Sequence, residues 1–221
     1  MRINKFVALS SGLSRRKADD AIINGRITVN GKAPEQGQSV TPTDTIKLDG
    51  VILHAPKSLT IMLNKPAGYV VSRDGQGSQT IYDLLDSEYQ NLNPVGRLDK
   101  YSSGLLLMTN DGDLAHTLTH PSKQKIKVYE LLLDKPLEPL HHQMITDHGI
   151  QLDDGLSKLQ LTKKTEGDSI AWTVAMHEGR NRQIRRTFEA LGYRVTHLHR
   201  IKFDNYDLAN LKSGKVIPIE K

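Results

Sequence analysis

The 221-residue chain contains no cysteine. That absence excludes a disulfide scaffold, a thiolate nucleophile, an iron–sulfur cluster and any zinc site built on cysteine. No apolar run approaches the roughly 18 residues that a transmembrane helix needs, so no membrane association is expected. The N-terminal Met1-Arg2-Ile3-Asn4-Lys5-Phe6 lacks the apolar core of a secretory signal, and a cytoplasmic location is the expectation. Glycine-rich phosphate loops of the Rossmann or Walker pattern are absent, as is a Gly-x-Ser-x-Gly elbow. His116 and His120 stand at i, i+4, and His197 and His199 alternate along a strand-like run. With no acidic residue at a zincin-like spacing, these give no metal site. Neither a metal nor a cofactor is expected.

What the chain does have is positive charge in two blocks. The net charge is +5. Residues 1–58 carry nine basic and five acidic groups, residues 176–202 carry seven and two, and the rest of the chain is net acidic. Charge concentrated in this way points to a polyanion-binding surface.

The first 58 residues read as a small module with its linker. Phe6, Val7 and Leu9 supply the apolar positions of a first helix. Ser14 is placed to cap a second helix, with Ala18, Ala21 and Ile22 on its buried face and Gly25 at its end. Arg15, Arg16 and Lys17 fall in the first turn of that helix, where the macrodipole disfavours cations. Holding phosphate would explain them; a solvated turn is the plainer alternative. Asn30-Gly31 and Asp49-Gly50 are hairpin signals around short strands, and residues 54–58 read as a linker. From Leu59 strand-like runs dominate: 60–64, 105–109, 127–133, 159–163, 171–176 and 195–199. Helical pieces start at Ile81 and Gln183, and a third is capped by Asp113. The expected class is α+β with a largely antiparallel sheet. The expected domains are 1–58 and 59–221.

Three segments could carry chemistry. Gly96-Arg97-Leu98-Asp99-Lys100-Tyr101-Ser102-Ser103-Gly104 is a polar, glycine-bracketed loop feeding an apolar strand, the kind of loop that commonly carries function. Glu178 to Arg186 holds Arg180, Arg182, Arg185 and Arg186 within seven residues. Helical spacing would set Arg182 and Arg186 on one face, with Arg185 beside them. Guanidinium groups suit phosphate contacts and carboxylate pairing. Lys125-Ile126-Lys127-Val128-Tyr129 sets Tyr129 on one face with two lysines.

Together these segments resemble the bacterial ribosomal RNA pseudouridine synthases, in the branch that modifies single uridines of small- or large-subunit rRNA. The run Gly96–Gly112 resembles the family's catalytic motif, Lys127-Val128-Tyr129 its tyrosine motif and Gly179–Arg186 its arginine motif. Residues 12–18 and 25–31 resemble the S-four-like RNA-binding module that often precedes the catalytic domain. Ser102 stands where the branch usually has threonine, and Tyr101 and Ser103 are uncommon neighbours. The resemblance implies isomerisation of a specific uridine without cofactor: the C1′–N1 bond breaks, the uracil turns, and C5 bonds to C1′. It implies Asp99 as the essential carboxylate, acting on C1′ or on the C2′ proton. Arg185 is its cationic partner, and Tyr129 packs on the base and takes the C5 proton. Arg97 braces the space vacated by the flipped nucleotide. The N-terminal Arg15, Arg16 and Lys17, with Arg180, Arg182 and Arg186, are implied RNA contacts. The implied partner is rRNA, naked or in an assembling subunit, and a monomer is expected. A non-catalytic RNA-binding or ribosome-assembly factor is the alternative, but it has no need of Asp99, Tyr129 and Arg185 together.

Overall fold

The structure, a computed structural model, describes residues 1–54, 57–165, 167 and 169–219. It divides into two compact units, Met1–Ser58 and Leu59–Lys221. Ala55 and Pro56 of the expected linker lie outside the described residues.

In the first unit two helices, α1 (Ile3–Ser11) and α2 (Arg15–Ile23), precede a three-stranded antiparallel sheet. Its strands are β1 (Ile27–Val29), β2 (Ile46–Leu48) and β3 (Val51–Ile52). Ile3 and Val7, one helical turn apart, are the fully buried positions of α1; Phe6 and Leu9 are only partly covered. The Ser14 hydroxyl accepts the Lys17 N–H and caps α2. Ala18, Ala21 and Ile22 pack on Ile27, Val29 and Ile46. Asn30 and Gly31 both take positive φ, as a tight turn requires, but the hairpin stops after a single bridge from Val29 to Lys32. Pro34 follows two residues later and cannot donate to a ladder. The long-range partner of β1 is β2, with Ile27 opposite Leu48. Asp49-Gly50 makes the turn between β2 and β3.

The second unit is built on a nine-stranded mixed sheet. Its early elements are β4 (Thr60–Lys65), β5 (Asn93–Pro94), β6 (Ser103–Thr109), α3 (Gly112–Thr119), β7 (Lys127–Leu133) and α4 (Pro139–Gln143). A separate hairpin follows, β8 (Ile150–Leu152) and β9 (Gly155–Ser157). The rest are β10 (Gln160–Lys163), β11 (Ala171–Met176), α5 (Gln183–Glu189), β12 (Val195–Phe203), β13 (Tyr206–Asp207) and β14 (Val216–Pro218). The order is β10-β11-β7-β12-β6-β4-β14, with β13 on β12 and β5 on β6. Every pairing is antiparallel except β12 with β6. This is the expected α+β class.

Strand β6 is buried on both faces. Leu105 and Leu107 pack with Met62, Val95, Leu118 and Phe203, whereas Leu106 and Met108 pack with Tyr129, Ile184, Phe188 and Leu198. Double coverage explains its unbroken apolar run. Its parallel joint with β12 is unusually close. At Gly104 (φ +105°) a Cβ would lie 2.2 Å from the Arg200 carbonyl oxygen, so only glycine fits. The joint anchors the polar loop 96–104 to the centre of the sheet.

Two local readings are corrected. The cap of α3 is Asp111, whose carboxylate accepts the N–H groups of Asp113 and Leu114; Asp113 lies inside the first turn. Arg182 is not on α5. It precedes the helix with a left-handed φ of 47°, so it shares no helical face with Arg186.

Candidate active site

Asp99 is held at four points. Its Oδ1 accepts the Tyr101 N–H at 2.9 Å, and its Oδ2 accepts the Ser102 hydroxyl at 2.7 Å. From α5, Arg185 donates through Nε to the same Oδ2 at 3.4 Å and through Nη2 to Ser102 Oγ at 3.2 Å. Its Nη1 is spent on the Val195 carbonyl at 2.8 Å, which fixes the plane of the guanidinium. Arg182 Nη1 lies 3.9 Å from Asp99 Oδ1. Burial pushes the Asp99 carboxyl up. The Ser102 hydroxyl, Arg185, the Tyr101 N–H and Arg182 together outweigh it and hold the group below the usual carboxylate range. Asp99 is therefore an ionised, oriented and partly desolvated carboxylate.

Lys65, at the end of β4, is fully buried beneath this loop. Its Nζ donates to the carbonyls of Pro66 (3.0 Å), Asp99 (3.2 Å) and Ser102 (2.7 Å). Burial lowers its pKa to about 8, and the Asp99 carboxylate opposes the fall. Sequence reasoning missed this residue, although a lysine closing an apolar strand just before Pro66 is a signal. Replacing Lys65 by Met leaves the Pro66 and Ser102 carbonyls without this donor, while the Asp99 carbonyl keeps the Ser102 N–H, and should cost about 3 kcal/mol. Because the folded pKa lies below the unfolded one, this lysine makes stability rise between pH about 8 and 10.5, where only the unfolded chain keeps the proton. Urea unfolding across that range should show the rise in the wild type and a flatter profile in Lys65→Met.

Beside Asp99 opens a cleft of about 770 Å³. Tyr129 of β7, Met176 of β11 and Leu198, Arg200 and Phe203 of β12 line it, together with Arg97 and Lys127. Its lining thus combines an aromatic face, apolar side chains and cations. Arg200 is buried, donates from Nε to the Leu105 carbonyl at 2.7 Å, and lies 6.0 Å from the centre of the Tyr129 ring. Burial, and then the charge of Arg200, push the Lys127 ammonium pKa down.

The structure brings Asp99, Tyr129, Arg185, Arg97, Arg180 and Arg182 to this one cleft. Arg97 is exposed. Arg180 and Arg186 are turned onto a single carboxylate, Asp154 in the β8–β9 turn, at 2.8 and 2.6 Å. Both arginines, implied as RNA contacts, spend their best hydrogen bonds inside the protein. Asp154 lies 26 residues before Arg180, and nothing in its own segment advertises the pairing. Arg15, Arg16 and Lys17 are exposed on α2, where Arg15 also reaches Asn4. Among the described residues no group of three or more His, Cys, Asp or Glu side chains could hold a metal ion. No described helix is long and apolar enough to cross a membrane.

An ionised aspartate clamped by arginine, beside an aromatic face in a cation-lined cleft, suits an enzyme acting on a polyanion rather than a passive RNA clamp. Residues 59–190 match the model of the RNA pseudouridylate synthase family, and residues 1–46 match the S4 domain. The chain is 36% identical to ribosomal large subunit pseudouridine synthase B of Bacillus subtilis, covering 96% of this chain and 89% of that protein. It is 35% identical to ribosomal small subunit pseudouridine synthase A of Pasteurella multocida, over 94% and 90%. It is 32% identical to the dual-specificity RNA pseudouridine synthase RluF of Escherichia coli K12, over 97% and 74%. A crystal structure of a pseudouridylate synthase superposes with a TM-score of 0.70 at 31% identity, covering all of this chain and 96% of that one. The chain belongs to the RNA pseudouridylate synthase family and is an isomerase of uridine in RNA.

Proposed function

We propose that the substrate is one specific uridine of ribosomal RNA, that Asp99 is the essential carboxylate, and that Arg185 and Tyr129 complete the catalytic set. The rRNA assignment is supported by relatives whose names specify the small or large ribosomal subunit. The observation that carries the site assignment is the Asp99–Ser102–Arg185 triangle. Whether Asp99 adds to C1′ or removes the C2′ proton, it must be ionised and aimed, and this triangle supplies both conditions. The flipped uracil packs on Tyr129, and the apolar wall excludes water. Arg97, exposed in the cleft lining, takes the space left in the RNA stack. No step of this isomerisation calls for a metal or a cofactor. We assign a cytoplasmic monomer as the working form.

The test is to map pseudouridine in rRNA from cells with and without the gene. One uridine should lose the modification and regain it when the wild-type gene is restored. If every rRNA pseudouridine survives the deletion, the substrate is another RNA.

The N-terminal helix α2 would serve phosphate binding, which positions without specifying. Replacing Arg15, Arg16 and Lys17 together by Gln should weaken RNA binding. It should also make the log–log salt dependence shallower by about 2, as three lost contacts to single-stranded phosphate imply. A salt titration by fluorescence anisotropy checks this; an unchanged slope would clear α2 of phosphate contact.

A further inference from the structure

A second groove of about 590 Å³ opens beside the Asp99 loop, lined by Tyr101, Arg182, Arg185, Glu189, Tyr193 and Arg194. Arg182 and Arg185 line this groove and the main cleft alike, so the two meet beside the carboxylate. Tyr101 is 67% exposed. Its main-chain N–H is tied to Asp99, yet among the described residues its ring makes no hydrogen bond, ring contact or cation contact. Arg194 is also exposed, and its guanidinium has no partner among the described residues. A lone exposed tyrosine needs no explanation. An aromatic ring anchored two residues from the carboxylate, in a groove with three guanidinium groups and one acid, is a different object. Its chemistry is that of a single-stranded nucleic-acid subsite: a π-face for a base and cations for the adjoining phosphate.

We propose that this groove binds the nucleotide next to the target uridine, with that neighbour's base stacked on Tyr101 and its phosphate met by Arg194 and Arg182. The inference rests on the reading that the target uridine occupies the main cleft. A strand whose uracil enters that cleft passes Asp99 with its sugar, and the shared arginines lie where its backbone leaves. Because every base has a π-face, Tyr101 sets register and affinity rather than base identity. Tyr101 is a binding residue in this role and takes no part in bond making.

The test uses a synthetic RNA oligonucleotide spanning the mapped uridine, intact or with an abasic site on the 5′ or the 3′ side of it. Dissociation constants are measured for wild type, Tyr101→Ala and Tyr101→Phe. On intact RNA the Ala variant should bind about tenfold more weakly, and the Phe variant should stay within about twofold of wild type. One of the abasic RNAs should cost the wild type the same factor, and on that RNA the Ala variant should lose nothing further. Which one it is assigns the groove to the 5′ or the 3′ neighbour. The subsite is overturned if Tyr101→Ala binds intact RNA like wild type. It is equally overturned if the variant keeps its full loss on both abasic RNAs, or if Tyr101→Phe is as weak as Tyr101→Ala. Conversion of the intact oligonucleotide by the wild type is read separately. Conversion with a flat binding comparison defeats the subsite alone; failure to convert the oligonucleotide, and equally unmodified rRNA and ribosomal particles from the deletion strain, defeats the underlying reading and the subsite with it.

Discussion

Asp99→Asn should lower isomerisation by about 10⁴-fold or more while RNA affinity stays within about twofold of wild type. The side chain keeps its shape, and its carbonyl oxygen can still accept the Tyr101 N–H. What is lost is the negative charge that either route requires, since an amide neither adds to C1′ nor takes a C2′ proton. Affinity survives because phosphate contacts lie on other residues. Release of tritium from 5-tritiated uridine in RNA, beside a binding titration, separates the two effects. Turnover by the Asn variant near the wild-type rate would remove Asp99 from its role.

Arg185→Ala should lower the single-turnover rate at saturating RNA by about 10²- to 10³-fold, the scale for removing one preorganised electrostatic group. Three contacts vanish together: to Asp99, to Ser102 and to the Val195 carbonyl. Most of the loss at neutral pH is loss of aim, because a carboxyl with a moderately raised pKa is still largely ionised there. The charge effect appears on the acid side. In the wild type Asp99 is held below the usual carboxylate range, so its ionisation survives well into acid. Without Arg185 burial meets less opposition, the pKa rises, and the acid limb of the rate profile should move to higher pH. A merely structural role would lower the rate without moving that limb. Arg182→Ala is the comparison. Its side chain is 43% exposed and stands 3.9 Å from Asp99, so its loss should fall mainly on binding, with a salt slope about one contact shallower. If Arg185→Ala reached the wild-type rate at saturation, the arginine would be an RNA grip and the pairing catalytically idle.

Much of this site is legible in the linear sequence, for physical reasons. Asp99 is the acidic residue of a polar loop that empties into a continuous apolar strand, and a strand buried on both faces must read that way. Tyr129 and Lys127 share a strand face because side chains alternate. Ser14 announces α2 because a hydroxyl before a helical run satisfies an orphan N–H. Where two nearby candidates compete for one local job the pattern misleads: Asp111 takes the cap of α3 from Asp113. The Asn30-Gly31 turn forms as expected, but its hairpin stops at one bridge because Pro34 interrupts the returning strand.

The arginine segment marks the boundary between the two kinds of information. Composition by itself determined a cysteine-free chain with two basic blocks, and local pattern determined its α+β class and the three segments that could carry chemistry. Which of four closely spaced arginines faces the carboxylate was decided by tertiary structure. The left-handed backbone at Arg182 takes it off the helix and leaves it 3.9 Å from Asp99, Asp154 captures Arg180 and Arg186 from a distant hairpin, and of the four only Arg185 hydrogen-bonds the Asp99 carboxylate. The same holds for Lys65, whose three carbonyl partners belong to residues up to 37 positions away. Helical and strand periodicities act over a few residues. A long-range hydrogen bond depends on where folding delivers both partners, and that is set by the packing of the whole sheet.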